Sequence, residues 1–322
     1  MSLVEHGAAP ISAWVPDLER EPRFLIYSVT KTFTAVLILQ LCEEGRLGLS
    51  DPLARWFPDV PGARRITVEQ LLNHSAGLRD YGGLPAYHGE LRQSPTTPWS
   101  FERFAAETIR KGLLFEPGTS FSYSNPGYML LKGIAEQIGG ESYRALIAER
   151  IAAPLELRDT AVVESLDEMK PLARGTSSEL TPNGELVDVR THYHPGWVSH
   201  GVIASSCSDV ARFFDALFGG RIISHERVRE MLQLIFMEKP APGESHSSPL
   251  RPVSPGYGLG VMADPDSPWG LLVGHNGGGP CYHASAFHAV TSGISVCVMT
   301  AIERDFDTES IVAQLLDTLT RR

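Results

Sequence analysis

Helical spacing near the front of the chain, followed by hairpin-spaced apolar runs at its end, confines this sequence to folds that pack helices on an antiparallel sheet. Val29, Phe33, Val36, Leu37 and Leu41 recur at helical spacing, and Gly45 stands just beyond them, where a helix end favours a left-handed residue. Thr67-Val68-Glu69-Gln70 has the form of a capping box ahead of Leu71-Leu72. Pro126 marks the first turn of a helix that buries Leu130, Leu131, Ile134 and Ile138. From residue 257 the texture changes to short apolar runs broken by Gly, Pro and Asp: 257–262, 271–274, 284–290 and 294–301 read as strands. Ile311, Val312, Leu315, Leu316 and Leu319 then share one face of a closing helix. The predicted class is α+β, one compact unit with an insertion, since no repeat, low-complexity tract or long linker divides the chain.

Charge and composition narrow the function. The 28 basic against 38 acidic side chains give a net charge of −10, so no footprint for a phosphate backbone exists and no nucleic-acid partner is expected. The longest apolar runs, 35–39 and 294–302, fall far short of the roughly 20 residues that span a bilayer, and no membrane association is expected. Cys42, Cys207, Cys281 and Cys297 form no Cys-x-x-Cys pair and read as reduced thiols rather than a zinc ribbon or disulfide framework. The first fifteen residues carry Glu5 and His6 with no Lys or Arg ahead of the apolar positions, unlike a secretory signal. A cytoplasmic location is the expectation.

Three short motifs carry chemistry. Ser28-Val29-Thr30-Lys31 opens the first helix, which places Lys31 one turn beyond Ser28 on nearly the same face. A serine hydroxyl becomes a nucleophile when a neighbour takes its proton, and an amine whose charged form is disfavoured does that. Taken alone, the tetrapeptide is a weak signal, since five Lys and 28 Ser in 322 residues give roughly 0.4 Ser-x-x-Lys matches by chance. Tyr123-Ser124-Asn125 precedes a Pro-initiated helix, so a phenol and an amide project from a loop; the plainer reading is a turn with Asn125 as cap and Tyr123 as packing. His275-Asn276-Gly277-Gly278-Gly279-Pro280 ends a predicted strand, where glycines let a substrate approach the edge and offer backbone N–H groups, or simply form a hairpin loop.

In this order the three motifs resemble the active-site elements of the serine β-lactamase and penicillin-binding-protein superfamily, notably its class C β-lactamase, D,D-peptidase and family VIII esterase branch. Residues 24–53 resemble that family's nucleophile helix, 66–78 its T-x-x-x-L-L-x-H-x-S-G-L segment, and 115–160 the stretch around its Tyr-Ser-Asn loop. The likeness continues through 201–214 and 257–300. It implies a β-lactamase/transpeptidase-like fold: an antiparallel sheet flanked by helices, formed from 1–50 and 200–322, with a mostly helical subdomain from 51–199 inserted and the active site between them. It implies Ser28 as the acylated nucleophile, Lys31 and Tyr123 sharing its proton, and Asn125 binding Lys31 and the substrate carbonyl. The N–H groups of Ser28 and Gly278 would form the oxyanion hole, with His275, Asn276 and Gly277 along the substrate-binding strand. Tyr123 would also help activate the deacylating water. Neither metal nor cofactor is implied.

Two departures from the family pattern shape the expected substrate. His275-Asn276-Gly277 stands where the family has Lys-Thr-Gly, so a partly charged histidine would meet a substrate carboxylate. Only 27 residues precede Ser28, so a sheet edge is expected to be short or missing, with 11–15 able to supply one strand. The expected activity is a serine esterase or amidase acting on small acyl substrates; a β-lactamase or D-aminoacyl peptidase is the alternative, and a non-hydrolytic binding module a third. His192, His194 and His200 invite a zinc site but lack a third-ligand pattern, and are expected to line the cleft or face solvent. Residues 81–99 and 238–255 are expected to form the rims of the cleft.

Overall fold

The computed structural model describes residues 1–15, 18–236, 248–250, 252–303 and 307–320. In chain order the strands are β1 (Ser2–Glu5), β2 (Ile11–Ser12), β3 (Phe24–Leu25), β4 (Ala161–Val163), β5 (Thr176–Ser177), β6 (Val187–Asp188), β7 (Val202–Ser205), β8 (Ile235–Phe236), β9 (Gly256–Tyr257), β10 (Met262–Ser267), β11 (Gly270–Gly278), β12 (Tyr282–Ala289) and β13 (Ile294–Ala301). Eight of them make an antiparallel sheet in the order β2-β1-β13-β12-β11-β10-β9-β8, while β3-β7-β4 make a smaller one and β5 pairs with β6. The helices that frame the site are α1 (Thr30–Glu43), α2 (Val68–Leu72), α3 (Asn125–Gly139), α4 (Cys207–Phe218) and α5 (Thr308–Thr320). Among the described residues no helix is long and apolar enough to cross a membrane.

The large sheet is covered on both faces, which explains why β13 reads as an unbroken apolar run rather than an alternating one. Val296 and Val298 pack with Val312 and Leu316 of α5, whereas Cys297 and Met299 face the main core with Phe213 and Phe214 of α4. The four cysteines are all buried and unpaired.

At the N-terminal edge, β1 pairs with β13 from Ser2↔Cys297 to Glu5↔Ile294, and β2 pairs with β1. The edge expected to be short or missing is therefore closed by a hairpin, with Ile11–Ser12 of the anticipated run as its outer strand. Segment 257–262, read as one strand, is instead two: β9 ends at Tyr257, and a turn held by Gly258 N–H donating to Val261 O leads into β10. Gly260 in that turn has φ +79, and a Cβ there would sit 2.4 Å from the Ala35 Cβ of α1. The chain bends so that its backbone can lie against the helix.

Helix α1 is central. Its spacing forecasts one apolar face, yet every residue from Thr30 to Leu39 is buried. The threonines on its remaining faces are all partnered: Thr30 Oγ1 accepts from Ile203 N–H, Thr32 donates to Gly260 O and Thr34 meets the Tyr143 hydroxyl. The Phe33 ring stacks on Phe213 with centroids 3.7 Å apart. The Thr67 capping box forms with Gln70, and α3 is capped by Ser124 rather than Asn125, with Pro126 in its first turn. Gly45 takes the left-handed conformation just past α1.

Candidate active site

Ser28 lies in a single 3-10 turn, Tyr27–Val29, that carries the chain from β3 into α1. Tyr27 has φ +41, a conformation costly for a bulky residue, and its hydroxyl donates to Pro280 O at 3.1 Å. Its ring occupies space that only a glycine at 279 leaves free, since a Cβ there would approach the ring to 2.4 Å. Strand β11 presses equally close: a Cβ on Gly277 would lie 2.1 Å from Ile26 O and 3.2 Å from Ser28 N. The glycine run thus brings the strand end against the Ser28 turn, and Ser28 itself is only half-buried.

Lys31 is fully buried, and its Nζ lies 3.2 Å from Ser28 Oγ, 2.7 Å from Asn125 Oδ1 and 3.0 Å from His200 Nε2. Burial lowers its pKa to about 7, with the Asp80 carboxylate pulling the other way. The amine is therefore available as a base near neutral pH. The Tyr123 ring lies under the same amine, 4.8 Å from Nζ to centroid, and the Tyr123 hydroxyl is buried without a hydrogen-bond partner among the described residues. Burial pushes the Tyr123 phenol well up, the nearby Ser28 hydroxyl opposing, so it stays protonated. Two titratable groups beside one serine are thus driven apart, the amine toward its free form and the phenol toward its acid.

Sequence reasoning missed Asp80 and His74. Asp80 accepts from Asn125 N–H at 2.8 Å, from Asn125 Nδ2 at 3.3 Å and from Gly82 N–H at 2.9 Å. Because Nδ2 is committed to Asp80, the amide oxygen of Asn125 must face Lys31. An Asp followed by Gly82-Gly83 is a turn signal legible in the sequence, but its link to Asn125, 45 positions on, is not. Asp80→Ala is expected to lower kcat about tenfold, the effect of losing one hydrogen bond to a charged group, with KM little changed in steady-state assays. His74 accepts from Ser124 N–H at 3.1 Å and packs its ring against Tyr123 with centroids 4.2 Å apart, fixing the Tyr-Ser-Asn loop.

The strand motif departs from expectation. His275 is fully buried between Tyr257, whose hydroxyl is 2.9 Å from its Nε2, and the backbone O of Asn276, 2.6 Å from its Nδ1. Burial, with Lys31 adding to it, lowers its pKa to about 3, so it is neutral and offers no partial charge to a substrate carboxylate. Asn276 points to the opposite face of β11, as strand alternation requires, and its Nδ2 donates to Glu309 of α5. Gly277 stays beside the Ser28 turn, whereas the neighbour of Gly278 is the His283 ring.

The three histidines considered as zinc ligands are not brought together. His192 is exposed, His194 caps a short turn by accepting from Gly196 N–H, and His200 is buried at Lys31 rather than lining the cleft or facing solvent. Among the described residues no cluster of three or more His, Cys, Asp or Glu is arranged to hold a metal. Residues 81–99 hold a helix, Pro85–Gln93, and an aromatic cluster in which Tyr87 meets Trp99 and Trp197 edge-on. Of the other rim segment, 238–247 and 251 lie outside the described residues.

Comparison with known proteins accords with this geometry. The family model described as Beta-lactamase matches residues 6–317. A penicillin-binding protein of Bacillus subtilis (strain 168) is 28% identical over 323 residues, covering 92% of this chain and 64% of its own length. A D-aminopeptidase of Brucella ovis is 33% identical over 143 residues, 44% of this chain and 27% of its own. Among solved structures, a D-stereospecific amidohydrolase from Streptomyces sp. superposes with TM-score 0.80 at 27% identity, covering 97% of this chain and 91% of that one. The D-amino acid amidase from Ochrobactrum anthropi SV3 does so with TM-score 0.80 at 25% identity over 100% and 93%. The chain spans less than two thirds of the length of the curated relatives it matches over most of its own length, 64%, 57% and 63% in three of them. With the family model matching residues 6–317 and the fold shared by hydrolases of known structure, this chain belongs to the beta-lactamase family.

Proposed function

We propose that this chain is a serine hydrolase that forms an acyl-enzyme on Ser28 from small amide or ester substrates. The observation that carries the reading is the buried Lys31 amine, with a pKa of about 7, at 3.2 Å from Ser28 Oγ. Lys31 takes the Ser28 proton as Oγ bonds to the acyl carbon, and the N–H groups of Ser28 and Gly278 receive the oxyanion. Asn125 gives one Nδ2 hydrogen to Asp80 and keeps the other for the substrate carbonyl. Tyr123, held protonated, gives its proton to the departing amine or alkoxide and regains one from the Lys31 ammonium. Water then attacks the acyl carbon as Lys31 takes its proton, and the Ser28 Oγ–acyl bond breaks, Lys31 returning that proton to Ser28 Oγ as the acid leaves. The raised Tyr123 pKa supports an acid role for it, where the family resemblance implies help in activating the deacylating water. No step calls for a metal or cofactor.

The neutral, buried His275 supports substrates without a carboxylate next to the scissile bond. D-amino acid amides and short esters are the first to test, the former because the structural relatives include a D-stereospecific amidohydrolase and a D-amino acid amidase. β-Lactams and D-alanyl peptides, whose carboxylates would gain no cation from His275, rank second. A fluorophosphonate probe is expected to add covalently to Ser28, identified by peptide mass spectrometry. A native protein left unlabelled at Ser28 would instead indicate a binding module, and a dominant cephalosporin rate would displace the proposed substrate class.

A further inference from the structure

The surroundings of Lys31 determine where its lone pair can point. An ammonium carries three N–H groups and no lone pair, and its three neighbours, Ser28 Oγ, Asn125 Oδ1 and His200 Nε2, accept one each. Asn125 presents oxygen because its Nδ2 is bonded to Asp80. Toward the ammonium His200 can present only a bare Nε2, which places its proton on Nδ1, an atom buried without a partner among the described residues. The free amine has only two N–H groups. If Asn125 Oδ1 and His200 Nε2 take them, the lone pair has only the Ser28 hydroxyl to face.

We propose that His200 is a positioning residue: by accepting an N–H from Lys31 it aims the lone pair of the free amine at Ser28 Oγ. This rests on the assignment of Ser28 and Lys31 given above and adds a residue that no motif contains. The imidazole is set from both sides. Ser199 N–H donates to the Tyr81 hydroxyl at 3.1 Å, and Gly201, at φ +80, lets the Tyr143 ring approach to 3.2 Å of where a Cβ would stand. The charged and titratable groups that face the pair are Lys31 of α1, Asp80, His74, His275 of β11, Lys132 of α3 and the rings of Tyr123 and Tyr128. Burial first, then Lys31, keeps His200 in its neutral form, the form with a nitrogen free to accept.

The test uses the intact chain and does not need turnover for its primary readout. Nitrogen-15 histidine spectra near neutral pH are expected to show His200 as the Nδ1–H tautomer; an Nε2–H tautomer overturns the proposal. Only five lysines are present, so the titration of Lys31 can be followed by carbon-13 NMR at its Cε. His200→Leu is expected to lower the Lys31 midpoint by about one pH unit, through loss of an acceptor to the ammonium, and His200→Gln to restore most of it. In hydrolysis, His200→Leu should lower kcat about tenfold with KM changed by less than about twofold, again with rescue by glutamine. An unchanged or raised Lys31 midpoint in His200→Leu refutes the role. Should that variant fail to melt cooperatively, the tautomer and the His200→Gln titration decide. If Ser28 takes no fluorophosphonate while the tautomer and the shift are found, the hydrolase reading fails and the hydrogen-bond assignment stands; the opposite pattern fails His200 alone.

Discussion

Ser28→Ala is expected to lower p-nitrophenyl butyrate hydrolysis by about 10⁴-fold or more, the range seen when an acylated serine is removed from a serine hydrolase. The effect should be this large because, among the described residues, Ser28 is the only hydroxyl hydrogen-bonded to Lys31, whose other hydrogen-bond partners are Asn125 and His200. The alanine side chain fits the half-buried site, so the fold should persist and a circular dichroism melt should match the native protein. What remains would come from the backbone N–H donors and substrate binding alone. Equal rates for the two proteins would place the hydrolysis elsewhere or remove it altogether.

Lys31→Ala should lower acylation by at least about 10²-fold, the lower range for a group that transfers the reacting proton. The pH dependence gives the same prediction another face. With Lys31 at about 7, the amine is protonated below that value and free above it, so kcat/KM for a neutral ester should fall about tenfold per pH unit below 7 and level off above it. Lys31→Arg keeps the positive charge but has no accessible free base, and is expected to be as inactive as alanine. A native profile flat from pH 5 to 8, or an arginine variant near native rates, would assign the base role to another group. A mere electrostatic role for Lys31 predicts the reverse slope, with activity lost as pH rises.

Much of the architecture, and the placing of Lys31 beside Ser28, was legible in the sequence, for reasons visible in the structure. Ser28 and Lys31 are one helical turn apart, so spacing alone sets them side by side, and Pro126 announces the helix that carries Asn125 into the cleft. The β13 strand and the last helix were plain because their apolar patterns are local. Asp80 and His200 were not legible in their roles: each acts on a partner 45 or 169 positions away, and only the packing of α3 and β7 around α1 brings them in. The side-chain type of His275 implies a partial charge near neutral pH, but Tyr257 covers it and burial overrides the ordinary imidazole value. Asn276 follows from the two-residue period of β11: if His275 faces the nucleophile, its neighbour must face α5. The single strand expected over 257–262 failed where Gly260 meets α1, a contact between segments remote in the chain.

Burial of Lys31 has a consequence for how the site senses its surroundings. Mobile ions screen charges across water, over about 8 Å at physiological ionic strength, and act weakly on charges enclosed by protein. The Lys31 amine, the proposed base, makes its hydrogen bonds with Ser28, Asn125 and His200 from a position with no exposed surface. Under the proposed mechanism, such a site should respond to proton activity toward an uncharged substrate and stay nearly indifferent to salt, turning over alike in dilute and concentrated electrolyte.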